Sequence, residues 1–253
     1  MELTIDDLIK GKSTLIKNKE YYPTRNYVEP FVEKMSKFTD DFRIKVKTPD
    51  QITLTKDSPD ITFNRVVVEA VLPEKYSILG HDETIGLVYG LDIKKPIVKI
   101  YRGFLNQVCT NLTVFNSSWL NIQELLPGEP INYNPISELM TMQNDFAIVI
   151  NKMKNEYIDR EQRKIQLGNW VDFTLREYED YGYGKVKLAT STAVDAYKQL
   201  FIDSNSNYYI PMGQDPSRYD VYNSFTQIIT DDKRDIINHF EKTLLINRLL
   251  QVN

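Results

Sequence analysis

Two hydrophobic periods divide this chain, and their order restricts the folds open to it. From Phe42 the apolar residues alternate with polar ones, the two-residue period of strands; past Pro127-Gly128-Glu129-Pro130 they recur every three to four residues, the period of helices. Phe42-Arg43-Ile44-Lys45-Val46-Lys47 predicts a strand, paired in a hairpin with Gln51–Lys56 across the Thr48-Pro49-Asp50 break. Further strands are expected over 61–72, 84–91, 97–101 and 112–115. Before them, Val28, Phe31, Val32, Met35 and Phe38 predict a helix within an N-terminal region read as helical, and Thr4 with Asp7 resembles a capping box. Pro30 fits such a helix only in its first turn.

The second half reads as a run of helices. Asn134-Pro135 supplies a cap and a first turn, followed by Ile136, Leu139, Met140, Phe146, Ile150, Met153 and Tyr157 at helical spacing. Trp170, Phe173, Tyr178 and Tyr181 predict a second helix, stopped by Gly182 and Gly184. Ala189 to Phe201 predicts a third, and Val221, Tyr222, Phe225, Ile228 and Ile229 form the stripe of a fourth. A last helix is expected from Asp231 or Asp232 to Leu249. Strands first and helices afterwards mean α+β: an N-terminal antiparallel sheet followed by a helical C-terminal half. The boundary falls between 1–126 and 127–253, with the helical region expected to pack on the sheet as one compact unit.

Composition removes several functions. One cysteine rules out an intramolecular disulfide framework, and two histidines with it are too few for an ordinary four-ligand structural zinc site. A net charge of −4 means that any surface for nucleic acid is a local patch on an acidic body. The apolar runs fall far short of the roughly 20 residues of a membrane span, and the acidic start lacks a signal region. A soluble protein made in a reducing compartment is expected, with no membrane partner.

Four short patterns resemble chemistry, each with a plainer reading. Gly11-Lys12-Ser13-Thr14 looks like the end of a phosphate-binding loop, but Asp6 stands where that loop needs its first glycine. His81-Asp82-Glu83 offers an imidazole between acids, more simply a solvated turn. Asp60, Glu69, Asp92 and Lys94 resemble the carboxylates and lysine of a magnesium-dependent nuclease. Cys109 as a nucleophile needs His81 or His239, and a small buried thiol is the better expectation. No catalytic residue, metal ligand or cofactor is assigned.

Basic residues gather on the predicted strands and their ends: Arg43, Lys45, Lys47, Arg65, Lys94, Lys95, Lys99 and Arg102, with Tyr89 and Tyr101 among the later ones. Cations with interleaved aromatic rings suit single-stranded nucleic acid, where phosphates meet charge and bases stack. The plainer reading is a solvated sheet face, whose lysines also discourage edge-to-edge pairing.

The segment Val66–Asn116 is similar to an uncharacterised phage/plasmid-like domain family of mobile genetic elements. The similarity rests on Gly86-Leu87-Val88-Tyr89-Gly90, Tyr101-Arg102-Gly103 and Asn106-Gln107-Val108-Cys109-Thr110-Asn111-Leu112, with Tyr222-Asn223-Ser224-Phe225-Thr226 resembling the family's C-terminal helix. The resemblance implies mobile-element DNA metabolism or phage–host conflict and carries no catalytic residues. Asn106, Cys109 and Asn111 are expected to hold the central loop. With the basic strands, the expectation is a non-enzymatic, homo-oligomeric phage protein of the host bacterial cytoplasm that binds single-stranded DNA, such as a strand-annealing recombination protein. Arg43, Lys45, Lys47, Lys94, Lys95, Lys99 and Arg102 would then meet phosphates, while Tyr89 and Tyr101 stack bases. The alternatives are a module binding a host or phage protein, as an inhibitor of host defence or a virion component, and a magnesium-dependent nuclease.

Overall fold

A computed structural model of the chain describes residues 4–9, 14–16, 19–21, 25–46, 51–53, 61–63, 65–79, 84–94, 97–106, 112–113, 120–124, 144, 147–159, 166–178, 185–231 and 238–250. Strands fill the first half and helices the second, an α+β arrangement. The chain divides into two compact units: 1–77 with 86–103 and 118–139, and 78–85 with 104–117 and 140–253. Residue 127 therefore falls inside a segment of the first unit.

The first unit is built on strands β3 (Asp41–Val46), β6 (Val66–Val71), β8 (Thr84–Lys94), β9 (Ile97–Asn106) and β11 (Leu120–Glu124). They pair in the order β3-β6-β8-β9-β11. Register follows the apolar alternation. Phe42, Ile44 and Val46 stand opposite Ala70, Val68 and Val66, and those three stand opposite Tyr89, Leu91 and Ile93. One side of the sheet is thus apolar across its central strands, and a one-residue slip would turn all of it over. Helix α2 (Arg25–Met35) packs against β6, and Tyr27, Val28, Phe31 and Met35 along it are buried. The short helix α1 (Ile5–Ile9) packs on α2 and buries Leu8.

Several expectations for this half are corrected. Pro30 lies mid-helix in α2, where it removes one backbone hydrogen bond; a helix with one strongly apolar side tolerates that loss. The region before it is not all helix, since β1 (Thr14–Ile16) and β2 (Lys19–Tyr21) form a hairpin. The partner of β3 is β6, whose valines match its apolar side, and not β4 (Gln51–Thr53), which pairs with β5 (Ile61–Phe63). The long strand expected over 61–72 is therefore two strands.

The second unit takes the ends of the β8–β9 ribbon, with β7 (Ile78–Leu79) on β8 and β10 (Leu112–Thr113) on β9. Its helices are α3 (147–155), α4 (Leu167–Arg176), α5 (Thr190–Phe201), α6 (Arg218–Asp231) and α7 (His239–Leu250). From α4 onward each packs on the next, and α6 and α7 also meet β10. Trp170 of α4 is fully buried, its ring centroid 4.9 Å from that of Phe225 and 5.8 Å from that of Tyr197. Val221, Tyr222, Phe225 and Ile229 of the expected stripe are buried and Ile228 is half-buried. Asp231 ends α6 instead of opening α7, and Tyr178 lies beyond α4, where the chain turns extended at Glu177. Tyr157 lies past α3, bridged to Ser217 and exposed, so it is not part of that helix's apolar stripe. None of the described helices is long and apolar enough to cross a membrane.

Helix α6 starts at a capping box. The Ser217 amide donates to Asp220 Oδ2 at 2.8 Å, the Asp220 amide donates to Ser217 Oγ at 3.1 Å, and the hydroxyl donates to the carboxylate at 2.7 Å. Ser217→Ala should cost about 1 kcal/mol, read as a lowered urea midpoint with unchanged slope.

Candidate functional site

The basic residues of the strands lead to the second side of the sheet in the first unit. Arg43 and Lys45 of β3, Val67 and Glu69 of β6, Gly90 and Asp92 of β8, and Lys99 and Tyr101 of β9 all belong to this side, because alternate residues of a strand share a face. It is polar, yet its centre is as buried as the apolar side. Lys99, Asp92 and Tyr101 are fully buried, and Glu69 and Val67 nearly so.

Buried ions persist when paired and hydrogen-bonded, and Glu69, Arg65 and Asp92 are. Arg65, one residue before β6, grips Asp92 with two parallel bonds, Nε to Oδ1 at 2.9 Å and Nη2 to Oδ2 at 2.5 Å. This fork matches guanidinium to carboxylate in a single geometry. Glu69 Oε1 accepts two bonds of 2.7 Å, from Lys45 Nζ on the edge strand and from the Tyr101 hydroxyl two strands away. One carboxylate oxygen thereby ties together β3, β6 and β9. Tyr101 reaches it across Gly90: a Cβ at Gly90 would overlap the Tyr101 ring, so the ring occupies the space that glycine leaves empty.

The sequence-predicted set is only partly brought together. Arg43 is exposed, with Nη2 3.6 Å from Asp41 Oδ2. Lys45 is engaged with Glu69, and Lys99 lies inside the protein. Tyr89 and Tyr101 point to opposite sides of the sheet, Tyr89 among the apolar residues opposite Ala70 and Tyr101 over Gly90. Both are fully buried, which runs against the expectation that they stack bases: a base needs an open ring face. Arg102 is half-buried and falls on the side opposite Lys99. Lys94 and Asn106 are the last residues of β8 and β9. Lys47, Lys95, Cys109 and Asn111 lie outside the described residues, as do Gly11, Lys12, Ser13, Asp60 and His81. His239 opens α7 and is buried.

For hydrolytic chemistry, Glu69 and Asp92 are diagonal neighbours on adjacent strands, but each is occupied by basic or hydroxyl donors. Among the described residues no group of three or more histidines, cysteines and acids is arranged to hold a metal ion. The network instead fixes register, since each bond joins side chains that only one pairing brings together. The one sequence signal for this burial is the continuous run Val66-Val67-Val68 beside Arg65; Asp92, between Leu91 and Ile93, has the same kind of flanks as the exposed Arg43.

The second unit presents the exposed large apolar side chains Ile148, Tyr157, Leu175, Tyr178, Ile202 and Met212. Two of them belong to the connection between α5 and α6. No family model, curated protein or solved structure matches the chain.

Proposed function

We propose that this chain is a non-enzymatic protein-binding module of a phage or related mobile element. The carrying observation is that the central strands are buried on both sides, so the tyrosines and the lysine that would have formed a nucleic-acid platform are inside the protein. Phosphate binding needs cations whose charge is available to solvent. Lys45 and Arg65 spend theirs on Glu69 and Asp92. An acidic chain with exposed apolar side chains on its helical unit fits a protein partner better than a polyanion.

Fluorescence anisotropy with a labelled oligo(dT) at low salt tests this directly. The expected trace is flat, and Arg43→Ala leaves it flat. A saturable rise that weakens steeply as salt is added would restore the single-stranded DNA reading in place of this one. Affinity purification of the tagged full chain from the cell in which its element replicates should recover a discrete protein at fixed stoichiometry.

A further inference from the structure

We infer that the loop between α5 and α6, residues 202–217, is a preorganised docking element for a protein that offers an apolar pocket rimmed by lysine or arginine. This rests on the protein-binding reading above and names the surface and the partner's chemistry.

The loop is held throughout by its own hydrogen bonds. Asp203 accepts from the Asn205 amide through Oδ1 at 3.0 Å and from the Ser206 amide through its carbonyl at 3.0 Å. Ser206 accepts from the Tyr208 amide through Oγ at 3.2 Å and from the Tyr209 amide through its carbonyl at 3.1 Å. The Ile210 amide donates back to the Leu200 carbonyl of α5 at 2.8 Å, which closes the loop on its own helix. At the exit, the Ile158 amide donates to the Pro216 carbonyl at 2.8 Å and the Arg218 amide donates to the Glu156 carbonyl at 2.9 Å. A loop with this many internal bonds has lost its conformational freedom before any partner arrives.

Its tip is a tight turn. The Gln214 amide donates to the Pro211 carbonyl at 3.1 Å, and Gly213, at φ +86°, takes the position where a type II turn needs a left-handed residue. Met212 is the corner of that turn and is 93% exposed, the most exposed large apolar side chain among the described residues. Scattered exposed apolar residues are ordinary. A methionine fixed at the apex of a braced turn is a projecting, adaptable plug. Ile202 at the loop's start and Tyr157, bridged to Ser217 at its end, add apolar surface at its base.

Charge selects the partner. From Gln199 to Ser217 the chain carries Asp203 and Asp215 and no lysine or arginine. Both acids are exposed, as is Asp159, next to the Ile158 that bonds the loop's exit. A loop with acids and no cation of its own favours a basic surface over nucleic acid or an anionic membrane.

The test is selection of a random-peptide library, displayed on filamentous phage, against the immobilised full chain, followed by affinity measurement on the enriched peptides. Enriched peptides should carry an aliphatic or aromatic residue flanked by lysine or arginine, and should bind more weakly as salt rises. Met212→Asp should weaken them on the order of tenfold or more. Gly213→Ala should weaken them with Met212 intact, while Gly213→Asn, which tolerates a left-handed backbone, should retain more affinity. Circular dichroism of each variant confirms that it is folded. Peptides that bind Met212→Asp as tightly as the unaltered chain would overturn the loop assignment and leave the protein-binding reading standing. Enrichment of acidic peptides, or no enrichment, would also overturn it. Salt-dependent binding of the oligonucleotide above would remove both.

Discussion

Asp92→Ala should destabilise the fold by about 3–5 kcal/mol, because it leaves the Arg65 guanidinium buried without the carboxylate that grips it. Replacing both partners tests the reason. Arg65→Met with Asp92→Leu removes the buried charge together with its counter-charge, and should recover most of the loss or exceed the parent stability. Urea denaturation of the two single variants and the double variant gives the comparison. A cost below about 1 kcal/mol for Asp92→Ala would mean that the pair contributes no more than a surface ion pair.

Gly90→Ala should cost about 3 kcal/mol, an upper-range overpacking effect, since the new methyl group takes the space of the Tyr101 ring. Displacing that ring also withdraws the hydroxyl from Glu69, which keeps only Lys45 of the two donors seen on its Oε1. The two positions should therefore be coupled. In the Gly90→Ala background Tyr101→Ala should cost less than it does alone, by about 1–3 kcal/mol. Additive costs would show that the ring moves aside freely.

The α+β order was legible because hydrophobic period is a local property: Phe42, Ile44 and Val46 alternate with cations, and Val221, Tyr222, Phe225 and Ile229 repeat, whatever surrounds them. Pairing partners were not, since β3 joins β6 across an intervening hairpin, and local turn signals at Thr48-Pro49-Asp50 point to the nearer strand. The candidate site failed for a related reason. Alternating cations on a strand read as a solvated side, and whether that side is later covered is a tertiary fact. Lys99 between Val98 and Ile100 looks like any lysine of a half-exposed strand, yet it is fully buried. Burial on both sides left its trace mainly in Val66-Val67-Val68, a continuous apolar run where a one-sided strand alternates. The Pro211-Met212-Gly213-Gln214 turn was readable from its proline and glycine, but its importance comes from exposure, which sequence does not carry.

The two compact units trade the chain at 77/78, 85/86, 103/104, 117/118 and 139/140. A gene fragment stopped near residue 126 therefore encodes neither of them, and one beginning there lacks the strands β7 and β10 that the helices are grouped with. During synthesis portions of each emerge in turn, so neither is complete before part of the other has been made. A cut anywhere between 77 and 140 therefore divides at least one of the two units.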